Sequence, residues 1–97
     1  MATFFRVKNT EEFENLLKSR DIRISEAFVT TILKNLKSKK KYHHALSIEC
    51  DEDESIYDIT INKLDFKEAL EKNLSIYEEN ERYEDCVKIK EALKQLK

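Results

Sequence analysis

The segment Ala45-Leu46-Ser47-Ile48-Glu49-Cys50-Asp51-Glu52-Asp53-Glu54-Ser55-Ile56-Tyr57-Asp58-Ile59-Thr60-Ile61-Asn62 decides the fold, because its hydrophobic period is two. Leu46, Ile48 and Cys50 alternate with Ala45, Ser47 and Glu49, and Tyr57, Ile59 and Ile61 alternate with Asp58, Thr60 and Asn62. Successive side chains of a strand point to opposite faces, so each half reads as a strand with one apolar face. Asp51-Glu52-Asp53-Glu54 forms the turn. Asp tolerates turn conformations without glycine, and concentrated charge discourages edge pairing with other molecules.

On both sides of this hairpin the period changes to 3.6. Downstream, Asp65 with Glu68 three residues on reads as a helix start, and Phe66, Ala69, Leu70, Leu74 and Tyr77 share a face. The stripe breaks at Glu78-Glu79-Asn80 and resumes near Glu81, where Tyr83, Cys86, Val87, Ile89, Leu93 and Leu96 are spaced like a short coiled-coil seam. An antiparallel helical hairpin is expected. Upstream, Ser25 reads as a cap, and Phe28, Val29, Ile32, Leu33 and Leu36 predict a helix to about Lys39. Asn9 with Glu12 opens an earlier helix to about Arg20, with Phe13, Leu16 and Leu17 inward. Thr3 to Lys8 is aromatic and β-branched, a first strand with Phe5 and Val7 on one face. The expected fold is α+β, in the order β-α-α-β-β-α-α, with a small antiparallel three-stranded sheet. It is one domain, residues 1–97, divided into an α+β part, 1–63, and a helical hairpin, 64–97.

Composition sets the functional bounds. The 97 residues include no Gly and no Pro, so phosphate-cradling glycine loops and dinucleotide fingerprints are excluded. Abundant Lys, Asn, Ile and Glu suit an AT-rich genome such as that of many phages. No apolar run approaches a membrane span and no signal-type start is present, so a cytoplasmic location is expected, the host cytoplasm if the chain is phage-encoded. Cys50 and Cys86 stand alone and read as reduced, packed residues. Residues 1–45 carry ten basic against five acidic groups, and residues 46–97 carry eight against fifteen, so charge is divided along the chain.

From Leu70 to Leu96 the sequence LEKNLSIYEENERYEDCVKIKEALKQL resembles the UVR motif, the helical hairpin of the excision-repair proteins UvrB and UvrC. Leu70, Leu74, the acidic turn, Tyr83, Cys86-Val87, Ile89, Leu93 and Leu96 carry the resemblance. The family has two alanines where Cys86-Val87 stand and an Arg-Asp pair where Lys90-Glu91 stand, so charge is kept but the planar fork of Arg is lost. Such hairpins pair with another protein or with a second copy of themselves, and the resemblance therefore implies a docking element. The chain as a whole resembles the small accessory proteins of large tailed phages.

The resemblance places partner-binding residues at Glu78, Glu79, Glu81, Arg82, Lys90, Glu91 and Lys94, on a non-catalytic regulator or accessory factor that binds another protein. A nucleic-acid binder is the alternative from another class. Its site would be the basic cluster Lys34, Lys37, Lys39, Lys40 and Lys41 with Tyr42, although lysines at a helix C-terminus also oppose the helix dipole. No catalytic set, cofactor or metal site is expected. His43 and His44 are adjacent on a strand and so point apart, and Asp51, Asp53 and Ser55 lack the Gly and distal Glu of a calcium loop.

Overall fold

The computed structural model describes the backbone of residues 3–96 and the side chains of 4–96. Strand β1 (Thr3–Val7) leads into helices α1 (Thr10–Lys18) and α2 (Ile22–Lys34). The hairpin β2 (Tyr42–Cys50) and β3 (Ser55–Asn62) follows, then a one-turn 3-10 helix (Lys63–Asp65) and helices α3 (Phe66–Glu79) and α4 (Tyr83–Gln95). The element order is the one the hydrophobic periods predict.

The sheet has the order β1-β2-β3, and β2 and β3 pair antiparallel with a bulge between His44 and Leu46. The β1 pairing corrects the expected all-antiparallel sheet. Strand β1 runs parallel to β2, with Phe5 beside Ile48 and Val7 beside Cys50, so the sheet is mixed. A parallel neighbour requires a long crossover, and the two helices between β1 and β2 supply one.

Helix α2 organises the interior because it is covered on two sides. Ile24 and Ala27 pack with Val7, Leu46, Ile48 and Cys50 on one face of the sheet, joined by half-buried Phe5, Phe13, Leu16 and Ile59. Val29 and Ile32 pack with Phe66, Leu70, Tyr77, Cys86, Ile89 and Ala92 of the helical hairpin. The other sheet face carries Phe4, Arg6, Tyr42, His44, Ile56, Asp58 and Thr60, all exposed.

Several local expectations are corrected. The Asp21 carboxylate caps α2 by accepting the Arg23 N–H at 2.9 Å, whereas Ser25 is buried and donates to Asn73 Oδ1 at 2.7 Å. Helix α2 ends at Lys34 rather than near Lys39, and α1 ends at Lys18 with Leu17 exposed. Asp65 makes no side-chain cap. Asn62 caps the preceding 3-10 turn instead, through the Leu64 N–H. Asn9 does cap α1, accepting the Glu12 N–H at 2.9 Å.

Both helix–helix turns are built without glycine. In the first, Arg20 N–H reaches Leu17 O and Asp21 N–H reaches Leu16 O; in the second, Glu81 N–H reaches Glu78 O and Arg82 N–H reaches Tyr77 O. This pattern places one residue after each helix in the left-handed region, and Arg20 (φ 58°) and Glu81 (φ 56°) occupy it. A Cβ there costs about 1 kcal/mol. Glu81→Gly is therefore expected to raise stability by about 0.5–1 kcal/mol, read as a higher urea midpoint. A lower midpoint would show that the Glu81 side chain supports the turn in another way.

Candidate functional site

Helix α4 divides its residues by heptad. With Cys86, Ile89, Leu93 and Leu96 as the inward positions, the preceding inward position is 82. Cys86, Ile89 and Ala92 are buried, and Leu93 and Leu96 are half-buried against the same cluster. The expected seam is corrected at its first turn, because Tyr83 and Val87 are 62% and 54% exposed. One turn apart, they lie on the outer face with Lys90, Glu91 and Lys94, all exposed. Among the described residues none of these three charges is in an ion pair. Burial pushes the Cys86 thiol up, and the negative charge of Glu78 adds to this; Glu78 itself is exposed near the end of α3.

The other predicted partner-binding residues divide. Glu81 is exposed in the turn. Glu79 is paired with Arg20 at 3.2 Å, and Arg20 also donates to Ser75 Oγ at 2.7 Å. Arg82 is half-buried at the inward heptad position, where its guanidinium holds Glu26 at 2.6 Å and Asp85 at 2.8 Å and lies 5.5 Å from the Tyr77 ring centroid. It ties α2, α3 and α4 together, so its groups are already used inside the molecule. Beside it a cavity of about 330 Å³ is lined by Glu26, Val29, Leu33, Lys34, Tyr77 and Lys88 among others.

The basic cluster occupies the end of α2 and the connection to β2. Lys34, Lys37, Lys39, Lys40, Lys41 and Tyr42 are all exposed, and among the described residues none of the five lysines is in an ion pair. The backbone beneath them is fixed. His43 Nε2 donates to Lys40 O at 3.1 Å, Lys63 N–H donates to Lys41 O at 2.7 Å, the Lys63 ammonium donates to Ser38 O, and Lys40 N–H donates to Ser38 Oγ at 3.1 Å. His43 is buried with its ring 5.6 Å from that of Phe66. The Ser38, Lys40 and Lys41 carbonyls are thus held by His43 and Lys63. The Lys41 ammonium lies 5.6 Å from the Tyr42 ring centroid.

His43 and His44 point to opposite faces, as strand geometry requires. His44 Nε2 lies 2.8 Å from Ser47 Oγ, which donates to Asp58 Oδ1 at 2.6 Å. The single hydroxyl proton goes to the carboxylate, so His44 donates to Ser47 rather than taking its proton, which is not the hydrogen-bond order of an activated nucleophile. No group of three or more His, Cys, Asp or Glu among the described residues is arranged to hold a metal ion. No described helix is long and apolar enough to cross a membrane. No protein family matches the chain, and neither a curated protein nor a solved structure matches it.

Proposed function

We propose that this chain is a non-catalytic regulator or accessory factor, of phage origin and acting in the host cytoplasm, that docks on another protein through the outer face of its C-terminal hairpin. The observation that carries the reading is the exposed pair Tyr83 and Val87 beside Lys90, Glu91 and Lys94, which among the described residues are in no ion pair. An amphipathic surface of this kind fits a helix lying along it, with apolar side chains over Tyr83 and Val87. Helix α4 carries exposed Glu84 in its first turn and Lys94 in its last, so an antiparallel helix with acids early and lysines late is complementary in charge. The UVR resemblance of residues 70–96 supports the same face.

A different protein is favoured over a second copy. Tyr83 and Val87 supply a few hundred Å² of apolar area at most, whereas a stable interface buries about 800 Å² per partner. A copy offers only the same small patch, while a distinct partner brings its own anchor.

The test places a photo-crosslinker at Tyr83 and compares capture from cells by the otherwise unmodified chain, by Val87→Asp and by the double variant Lys90→Glu, Glu91→Lys, each carrying the same crosslinker. Expected is one crosslinked partner of different mass, capture reduced at least tenfold in both variants, and melting temperatures close to the original, because exposed substitutions change stability by about 0.5 kcal/mol or less. Unchanged capture with unchanged melts removes this face from the interface. A crosslink only between identical chains replaces the partner by a second copy.

A further inference from the structure

We propose a second binding site, independent of the hairpin: the lysine connection and the adjoining end of the bare sheet face bind a single-stranded nucleic acid. Lys37, Lys39, Lys40 and Lys41 contact successive phosphates, and Tyr42 with His44 receives the bases.

Three observations converge on this occupant. The first is charge: these lysines are exposed and, among the described residues, free of carboxylate partners, so their field is not spent inside the fold. The second is preorganisation. Three hydrogen bonds tie the Ser38, Lys40 and Lys41 carbonyls to Lys63 and His43, a fourth joins Lys40 N–H to Ser38 Oγ within the connection, and the lysine side chains are exposed above this fixed base. Fewer chain conformations are then lost when a phosphate strand binds. The third is the aromatic platform. Tyr42 and His44 belong to the exposed sheet face, and two residues along a strand are about 7 Å apart, a spacing suited to neighbouring bases of an extended strand. A ring stacks on a base of any identity, so binding tolerates sequence.

The same face limits the site. Asp58 borders its His44 end, with Oδ1 3.5 Å from His44 Nε2, Glu49 lies further along the strand, and the acidic turn at residues 51–54 follows. Those carboxylates repel phosphate, so the strand is held at the lysine end and only a few nucleotides are covered. The single-stranded form is favoured because stacking on Tyr42 requires bases that are not already paired within a duplex.

The experiment measures fluorescence anisotropy of a short labelled oligothymidylate with the full chain. A blunt duplex of equal length and phosphatidylserine vesicles serve as competitors. Four phosphate contacts give a log–log salt slope of about −2.8, so binding weakens about 50-fold between about 50 and 200 mM salt. Replacing Lys37, Lys39, Lys40 and Lys41 by Gln is expected to abolish most of that slope. Tyr42→Ala is expected to weaken binding by about fivefold or more while leaving the slope unchanged, because it removes a stack and no charge. The hairpin variant Lys90→Glu, Glu91→Lys binds as the unmodified chain does, which separates this site from the docking face. No binding at low salt, an unchanged slope in the Gln variant, equal affinity for the duplex, or displacement by vesicles alone each overturns the proposal.

Discussion

Phe66→Ala is expected to lower stability by about 3–5 kcal/mol and Ile89→Ala by about 2–5 kcal/mol, while Tyr83→Ala and Val87→Ala change it by about 0.5 kcal/mol or less. Phe66 and Ile89 are both fully buried, and Phe66 sits where β3, α2 and the helical hairpin meet, packed with the same cluster as Ile61, Val29 and Leu70 and against the His43 ring. Truncation there leaves a cavity bounded by three elements that are each tied elsewhere, so collapse is limited. A domain of this size has only about 5–15 kcal/mol of stability, and each kcal/mol moves its melting temperature by about 4–8 °C, so the Phe66 variant should melt about 12 °C lower or more. Thermal melts by circular dichroism make the comparison. If Phe66→Ala fails to fold, Ile89→Val provides the graded measurement, at about 0.5–1.5 kcal/mol. Equal losses at Ile89 and Val87 would contradict the assigned faces of α4.

The contrast between Ile89 and Val87 also marks how much of the candidate site was legible in the sequence. Spacings of three and four from Tyr83 admit two phases along α4. The phase through Cys86, Ile89, Leu93 and Leu96 places an arginine at the inward position 82, and an apolar-only reading rejects it in favour of Tyr83. What makes Arg82 acceptable inside is Glu26, 56 residues away in sequence, together with Asp85. A local pattern contains no trace of that partner. The lysine cluster was legible as composition, but its presentation depends on His43 and on Lys63, which comes from beyond β3.

The fold shows the same division. Periods of two and 3.6 are local properties, and every element they predict is present in order. The direction of β1 is not local: Phe5 and Val7 have the same inward face whether β1 runs parallel or antiparallel to β2, and only the path of α1 and α2 chooses between them. Ala45 and Ser47, read as the polar side of β2, are buried because β2 is the central strand and the residues are small. The start of α2 was misplaced for a related reason. Asp21 and Ser25 are both good caps by residue type, and Ser25 is withdrawn from that role by Asn73 on α3.

Between pH 10 and 12 the chain is expected to lose about 2 kcal/mol of stability through Tyr77 alone. Burial pushes this phenol up from its ordinary 10.0 to about 12, and the negative charge of Glu26 adds to the shift while Arg82 opposes it. Below about pH 10 the phenol keeps its proton in both the folded and the unfolded chain, so the stability is fully present. As pH rises from there, the unfolded chain ionises first and stability falls, until the folded phenol also ionises near pH 12. Two units correspond to about 2.7 kcal/mol. The figure is reduced here because Tyr77, although only 3% exposed, lines the open cavity beside Arg82, where water screens the phenolate. Urea midpoints across this range for the unmodified chain and Tyr77→Phe make the measurement, since Phe keeps the packing and removes the titrating group. Arg82→Gln should shift Tyr77 ionisation still higher, because it removes the cation that favours phenolate and leaves Glu26 and Asp85 in place. An equal alkaline loss in Tyr77→Phe would move the effect to another phenol, and Tyr57 is the next candidate because its hydrogen bond to Asp53 also pushes it up.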